Sequence, residues 1–185
     1  MYSSYVQFKT AGLSSFFIHG GPVALETTYN AVCPSVNTTS FSIQPAGGSY
    51  TYRWQTDNGT GFQNLSNNSI YSGVTATTLT LTNPPTSLAG YKYRCVATNG
   101  TNTITSSAKT LKFLTTWIGY YDADWMDPAN WSCNVVPDAN TDVIILEGYE
   151  NRPRINSNVS CRSIIIGDNS NLMIAPGFRL TITGH

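Results

Sequence analysis

The segment Tyr91-Lys92-Tyr93-Arg94-Cys95-Val96-Ala97 places four aromatic or apolar side chains, Tyr91, Tyr93, Cys95 and Ala97, at every second position. Successive side chains of a β-strand point to opposite faces, so these four lie on one face of a predicted strand. Asn99-Gly100 then turns the chain, because both residue types tolerate positive φ. Residues 103–113 return as the next predicted strand.

Similar one-faced rows recur on the N-terminal side of this segment. They are Phe41 and Ile43, then Tyr50, Tyr52 and Trp54, and then Leu79 and Leu81. Asp57-Asn58-Gly59 is a hairpin turn signal, and Asn83-Pro84-Pro85 ends a strand because proline cannot donate to a ladder. About seven strands at roughly ten-residue spacing predict an all-β, antiparallel sandwich domain over residues 26–114.

The composition argues against several other classes of protein. Only 11% of the 185 residues are charged, and ten basic side chains balance ten acidic ones. No cluster of Lys and Arg is present that could neutralise phosphates, so we expect no nucleic-acid partner. No run of about 20 apolar residues exists, so we expect no membrane insertion. Abundant Asn, Ser and Thr suit short strands with polar turns and argue against a helical bundle.

Trp54 and the Tyr93-Arg94-Cys95 sequence resemble the immunoglobulin-like fold. There a core tryptophan lies on the third strand, and a tyrosine stands two residues before a cysteine. The chain departs from that pattern on its second strand, where Phe41 and Ile43 occupy the window expected for the partner cysteine. The usual disulfide between the two sheets is therefore predicted to be absent.

Five phrases in order are similar to one group of immunoglobulin-like repeats, those of very large secreted surface proteins of gliding, polysaccharide-degrading bacteria. The phrases are Tyr52-Arg53-Trp54-Gln55, Gly61-Phe62-Gln63-Asn64-Leu65, Tyr71-Ser72-Gly73-Val74, Thr78-Leu79-Thr80-Leu81 and Tyr91-Lys92-Tyr93-Arg94-Cys95. The resemblance implies an extracellular or cell-surface location, reached by type IX-type secretion. Residues 1–25, with predicted strands at 5–9 and 13–18, look like the tail of a preceding module.

Residues 115–185 are predicted to form a second, small, Trp-rich β module. Its short apolar segments are separated by Gly, Asn or Pro-Gly, which suggests the first rungs of a β-solenoid or a small sandwich. Five phrases resemble another module of the same surface proteins, one that commonly precedes a repetitive β-helical stretch. They are Trp117-Ile118-Gly119, Asn130-Trp131-Ser132, Val136-Pro137, Thr141-Asp142-Val143-Ile144-Ile145 and Cys161-Arg162-Ser163-Ile164.

Aromatic residues at the start of the second module are a candidate ligand-binding site. They are Trp117, Tyr120, Tyr121, Trp125 and Trp131. Flat rings stack on the C–H faces of sugars, so an exposed row would bind polysaccharide. The alternative is that the same rings fill a small second core.

Asp122, Asp124 and Asp127 are a candidate calcium site, and calcium is the one cofactor that the sequence suggests. Carboxylates at such spacing can converge on a hard cation. An EF-hand loop is ruled out, because Asp127 and Cys133 stand where its glycine and its bidentate glutamate belong. The alternative is that the aspartates cap turns around buried tryptophans.

The four cysteines Cys33, Cys95, Cys133 and Cys161 include no Cys-x-x-Cys pair, which weakens the metal and redox interpretations. Disulfides formed in an oxidising compartment are preferred, and four buried thiols are the alternative. Pairing within each module predicts Cys33–Cys95 and Cys133–Cys161. The resembling modules often carry cysteines at both positions of the second pair.

Nothing in the sequence frames a catalytic site. His19 and His185 lie near the chain ends without a plausible nucleophile beside them. No sequence motif marks Glu26, Glu147 and Glu150 as a catalytic pair of carboxylates. We therefore expect a non-enzymatic structural or adhesive segment that spaces or positions other modules. The alternatives are a carbohydrate-binding module and an accessory part of a polysaccharide hydrolase. Expected partners are neighbouring modules of the same chain, glycans or cell-surface components, and a second copy through exposed strand edges.

Overall fold

The computed structural model describes residues 15–17, 28–44, 49–100 and 102–184. The predicted strand at 5–9, most of the one at 13–18, and residues His19, Glu26 and His185 lie outside these ranges. Of the early segment, Ser15–Phe17 is described as strand β1. Among the described residues, no helix is long and apolar enough to cross a membrane.

In the part of the first module that the structure describes, short strands are accompanied by one turn of 3-10 helix at Thr86–Leu88. After β1, its strands are β2 (Tyr29–Val32), β3 (Thr38–Gln44), β4 (Thr51–Asp57), β5 (Gln63–Asn64), β6 (Tyr71–Ser72), β7 (Thr78–Thr82), β8 (Lys92–Asn99), β9 (Asn102–Thr105) and β10 (Lys109–Thr116).

These strands form two sheets that enclose one core. One sheet has the order β1-β3-β7-β6, and the other includes β5-β4-β8-β10, with β9 also paired to β8. The pairs β3–β7 and β4–β8 are antiparallel, whereas β2 pairs in parallel with β10 and β1 in parallel with β3. The two sheets form an immunoglobulin-like sandwich. The alternating rows predict the sandwich, and the resemblance around Trp54 and Cys95 implies its immunoglobulin-like form.

Large side chains between the two sheets take the place of a disulfide. Trp54 is fully buried on β4, in register with Cys95 on β8, and its Nε1 donates to the Ala76 carbonyl at 2.9 Å. Phe41 stacks on Tyr93 with ring centroids 4.8 Å apart. Cys95 is buried and unbonded, so the predicted absence of the usual disulfide between sheets is confirmed.

The second module is wound as a parallel β-solenoid. Its strands are β11 (Thr141–Ile145), β12 (Arg154–Ile155), β13 (Val159–Cys161), β14 (Ser163–Ile166), β15 (Met173–Ile174) and β16 (Leu180–Ile182), preceded by a 3-10 turn at Pro128–Asn130. In the described part of this module, β11 pairs with β14, β12 with β15 and β13 with β16, and each pairing is parallel. Three short strands therefore make one rung, and the next three make the rung above it. Of the two predicted architectures, the parallel pairings identify the solenoid.

Candidate functional site

Strand β10 belongs to both modules and forms the junction between them. Its N-terminal end pairs with β8, where Lys109 lies opposite Tyr93. Its C-terminal end pairs in parallel with β11, from Phe113 opposite Thr141 to Thr116 opposite Ile144. The sheet therefore continues from the sandwich into the solenoid without a linker. The boundary expected between residues 114 and 115 lies within this strand.

A disulfide between Cys33 and Cys133 closes the same junction. The predicted pairs Cys33–Cys95 and Cys133–Cys161 are therefore wrong, and Cys95 and Cys161 are buried free thiols. The reason lies in the strand pairing that places Val32 opposite Phe113, which carries Cys33 past the end of β2 alongside β10. Ser132 N donates to the Thr116 carbonyl at 2.9 Å and brings Cys133 to the same place.

A charged cluster crosses the junction around Asp142, the second residue of the buried strand β11. Its carboxylate accepts hydrogen bonds from Arg162 and, at 2.6 Å, from Ser163 Oγ. Lys112 Nζ on β10 lies 3.8 Å from the same carboxylate and 4.9 Å from the centre of the Tyr29 ring on β2. The cluster thus ties together β2, β10, β11 and β14, with Arg162 directly before β14. A charge in such a buried position is tolerated because it is paired and hydrogen-bonded.

Two further hydrogen bonds join loops of the two modules. Thr86 Oγ1 donates to Asp138 at 2.5 Å, and Ser35 Oγ donates to the Cys133 carbonyl at 3.4 Å. The other carboxylate oxygen of Asp138 accepts from Thr141 Oγ1 at 2.7 Å, at the start of β11. The 3-10 turn of the sandwich is thereby connected to the first rung of the solenoid.

The three tryptophans of the predicted sugar platform are core residues. Trp117, Trp125 and Trp131 are each at most 1% exposed. Trp131 packs edge-on against both neighbours, with ring centroids 5.1 Å from Trp117 and 4.7 Å from Trp125, and its Nε1 donates to the Trp125 carbonyl. Stacking on a sugar needs an open ring face, so the platform interpretation is corrected for these three residues. They fill the N-terminal end of the solenoid core.

Tyr120 and Tyr121 lie on the surface, with 76% and 73% of their area exposed. Their rings are 6.1 Å apart and inclined by 57°. The two tyrosines therefore present two separate faces and do not extend a flat row with the tryptophans.

The predicted calcium ligands are engaged with nearby backbone amides. Asp122 accepts from Asp124 N at 2.7 Å, Asp124 from Met126 N at 3.0 Å, and Asp127 from Ala129 N at 2.8 Å. Throughout the described ranges, no three His, Cys, Asp or Glu side chains are grouped so that they could hold a metal ion. The arrangement is the turn-capping alternative, in which each carboxylate satisfies orphan amides.

Asn130 is a fully buried side chain that the sequence does not single out as structural. Its amide oxygen accepts from Tyr121 N at 2.9 Å and Asp122 N at 3.2 Å, and its Nδ2 donates to Asp122 and to the Asp124 carbonyl. These four bonds use its full amide capacity to fix the exposed loop. The only hint in the sequence is a polar residue directly before Trp131.

Gly119 lies where the loop begins and cannot be replaced without strain. Its φ is +51°, and an added Cβ would lie 2.4 Å from the Asn151 carbonyl and 2.9 Å from Trp117 Nε1. Those two atoms are joined by a hydrogen bond of 2.8 Å. The glycine therefore allows the chain to pass close to the buried indole.

An open polar pocket of about 420 Å³ lies on the sandwich. It is lined by Tyr50, Thr51, Tyr52, Arg53, Thr75, Val96 and Thr98. Arg53 is its one charged residue, so this pocket holds no acid and base pair of the kind that general acid–base catalysis uses.

The two free thiols provide a test of the cysteine assignment and of the packing. Burial raises the pKa of both Cys95 and Cys161 from the ordinary value of 9.0 to about 11. We expect both to resist a thiol reagent in the native protein at neutral pH and to react on unfolding. Because these pKa values are raised in the folded state, stability is retained below pH 9 and decreases as pH rises towards 11.

This expectation is checked by counting reactive thiols and by measuring the free energy of unfolding against pH. Burial also raises the pKa of Tyr93, so the free energy of unfolding decreases further at higher pH. A Cys95→Ala variant is the matched control. It removes part of the decrease in stability that starts near pH 9, and it leaves the decrease that comes from Tyr93. Rapid labelling of two thiols in the folded protein would contradict the assignment.

Comparisons with known proteins concern the two modules separately. Residues 116–185 match a protein-family model described as "Domain of unknown function (DUF8693)". The match begins at the last residue of β10 and covers the solenoid, which is less than half of the chain. A search of curated proteins finds no match.

Solved structures similar to the chain include crystal structures of the N-terminal four Ig domains of Dscam1. Isoform 8.4 is 18% identical with a TM-score of 0.41, covering 54% of this chain and 26% of that chain. Isoform 1.9 is 17% identical with a TM-score of 0.39, covering 51% and 25%. This chain thus spans about a quarter of the length of those structures. Both TM-scores are low, and it is the strand topology that defines the fold of the first module.

Proposed function

We propose that this chain is a non-enzymatic structural segment of an extracellular or cell-surface protein, which holds the modules attached to it at a fixed spacing and orientation. The observation that carries the proposal is the continuity of β10, which pairs with β8 in the sandwich and with β11 in the solenoid. Two domains joined by a linker move relative to each other by default. Two domains that share a strand and its hydrogen bonds move as one body.

The covalent bond at the junction supports both parts of this proposal. Cys33 and Cys133 are separated by 100 residues, and their bond ties β2 of the sandwich to the start of the solenoid. Disulfides of this kind persist in oxidising compartments outside the cytosol. The resemblance of both modules to surface proteins of gliding bacteria supports the same location and type IX-type secretion. A structural role also requires no cluster of catalytic groups.

The test is a distance measurement across the junction in the whole chain. Spin labels are attached through a ketone-bearing amino acid at Asn58 and Asn171, two exposed positions in the two modules. We expect one narrow distance distribution, because β10 cannot bend while both sets of ladder hydrogen bonds are made. The same labels in a Cys33→Ser, Cys133→Ser variant show how much rigidity remains without the covalent bond. A broad or two-peaked distribution in the native chain would contradict the proposal.

A further inference from the structure

Arg94 on β8 is held in a fixed orientation on the outer face of the sandwich. Its Nε donates to Gln55 Oε1 on β4 at 2.8 Å, and its guanidinium carbon lies 3.8 Å from the centre of the Phe62 ring. Gln55 is fixed in turn, because its Nε2 donates to Asn64 Oδ1 on β5 at 2.9 Å. Within the described ranges, no hydrogen bond or ion pair engages the two Nη atoms of Arg94. The end of this planar group is therefore available for two parallel hydrogen bonds to a carboxylate.

Arg53 places a second guanidinium on the same face. It precedes the buried Trp54 on β4, so its side chain points away from the core, and it is exposed. Arg53 lies opposite Val96, and Gln55 lies opposite Arg94. The two arginines thus occupy diagonal positions on adjacent strands, where Cα atoms are about 7–8 Å apart. In the part of the chain that the structure describes, the Arg53 side chain makes no ion pair or hydrogen bond.

The open polar pocket of about 420 Å³ continues this face away from Arg94. Arg53 and Val96 line it together with Thr51 and Thr98. These two threonines lie opposite each other, two residues further along the strands, and the Thr51 hydroxyl donates to the Thr98 carbonyl at 3.2 Å. On β9, Thr103 lies opposite Thr98 and shares the face. Hydroxyl groups therefore adjoin the two cationic groups.

The composition of this face distinguishes among anionic partners. Protein interfaces are centred on apolar or aromatic anchors, whereas Val96 is the one apolar side chain that the described residues of β4, β8 and β9 place on this face. Nucleic acids need a longer row of cations. The next cation, Lys92, lies opposite Asp57, whose carboxylate accepts hydrogen bonds from the amides of Gly59 and Gly61. A sugar chain offers hydroxyls to threonine and amide side chains, and a uronic acid adds the carboxylate that a guanidinium binds.

We propose that this face, defined by Thr51, Arg53, Gln55, Arg94 and Thr98, binds an acidic polysaccharide through the carboxylates of its uronic acid residues. Both Nη atoms of Arg94 donate to one carboxylate, and Arg53 donates to a second one on the same sugar chain. The threonine hydroxyls of the pocket contact sugar hydroxyls. Gln55 is a positioning residue, since it holds the Arg94 guanidinium in place before the ligand arrives and so reduces the entropy lost on binding.

This inference goes beyond the proposed structural role. It concerns the outer face of β4, β8 and β9, whereas that role concerns the shared strand β10 and the disulfide at the junction. The distance measurement across the junction and the binding experiment on this face can therefore fail independently of each other.

Affinity gel electrophoresis and calorimetry on the whole chain at low salt test this site, with sodium polygalacturonate as the probe. We expect it to bind and neutral dextran not to bind. The dissociation constant should rise about tenfold or more in Arg94→Gln, because hydrogen bonds between charged groups are lost. Arg94→Lys should show a similar loss, since it keeps the charge without the planar fork. Arg179→Gln is the matched control: it removes the same charge from an exposed position in the solenoid, and should change the dissociation constant by less than about twofold.

Proton–nitrogen NMR on the unaltered chain gives a second reading that does not depend on any variant folding. Oligogalacturonate should move the Nε–H signals of Arg94 and Arg53 and leave that of Arg179 in place. Dextran sulfate and single-stranded oligothymidylate serve as polyanions of other chemistry, and we expect both to bind more weakly than polygalacturonate. The proposal is overturned if polygalacturonate does not bind, if dextran or either of these polyanions binds as well, or if Arg94→Gln binds like the native chain.

Discussion

Trp131→Ala should destabilise the solenoid module by about 4–5 kcal/mol, since truncating a buried tryptophan leaves a large cavity and removes aromatic pairs that each contribute about 1 kcal/mol. Trp131 is 1% exposed, and it lies between the rings of Trp117 and Trp125 with an edge-on contact to each. Its Nε1 hydrogen bond to the Trp125 carbonyl is lost as well. The free energy of unfolding in denaturant measures this change.

Tyr121→Ala is the matched control, because that ring belongs to the same aromatic group but is 73% exposed. Its replacement should change stability by no more than about 0.5 kcal/mol. Binding of soluble polysaccharide, measured by gel retardation, distinguishes a core role of the tryptophans from a sugar-binding role. A Trp131→Ala protein that keeps its stability and loses sugar binding would contradict the assignment of this residue to the core.

Strand assignment in the sandwich succeeds from sequence because the pattern that predicts it is local. Trp54 and Cys95 stand on alternating rows of their own strands, and the structure places both in the core. The absence of a cysteine on the second strand can also be predicted from the sequence. In the structure Phe41 stands on that strand and stacks on Tyr93. A one-faced row specifies which residues are buried together, and in an antiparallel sandwich that is most of the information needed.

The tryptophans show where local pattern stops being sufficient. Trp117 and Tyr120 are three residues apart, yet one is 1% exposed and the other 76%. Neither strand nor helix periodicity runs through this segment, because it is a loop held by Asn130. Whether an aromatic side chain in such a loop is core or surface depends on which distant strands cover it.

The sequence predicts the charged cluster at the junction only in part. Asp142 stands alone as a charge in the apolar segment Thr141–Ile145, which marks it as paired if that segment is buried. Its partners are Lys112 on β10 and Arg162 directly before β14, and both of these strands pair in parallel with β11. Parallel neighbours are separated by a whole rung of chain, so spacing alone does not identify them.

The prediction of the disulfide pairing is wrong for the same physical reason, at a longer separation in sequence. Cys33 reaches Cys133 because β2 pairs in parallel with β10, a contact between segments about 80 residues apart. The assumption of pairing within each module treats the modules as separate bodies. A strand that serves both modules makes that assumption wrong, and the bond that results crosses the boundary.

Loss of the Cys33–Cys133 bond should reduce the free energy of unfolding by about 3–5 kcal/mol, because the closed loop of 100 residues restricts the unfolded chain strongly. A Cys33→Ser, Cys133→Ser variant shows the effect without leaving an unpaired thiol at the junction. The measurement is denaturant unfolding of the native chain with and without reductant, compared with the variant.

Reductant should shift the native chain to the stability of the double variant and leave the variant itself unchanged, since Cys95 and Cys161 carry no bond to reduce. Peptide mapping without reduction should recover one cross-linked pair that contains both Cys33 and Cys133. An unfolding midpoint that reductant does not move would contradict the bond.

Because β10 still pairs with β8 and β11 when the bond is cut, the reduced chain should lose stability yet keep a single unfolding transition. Two separate transitions after reduction would show that the covalent bond, and not the shared strand, couples the two modules.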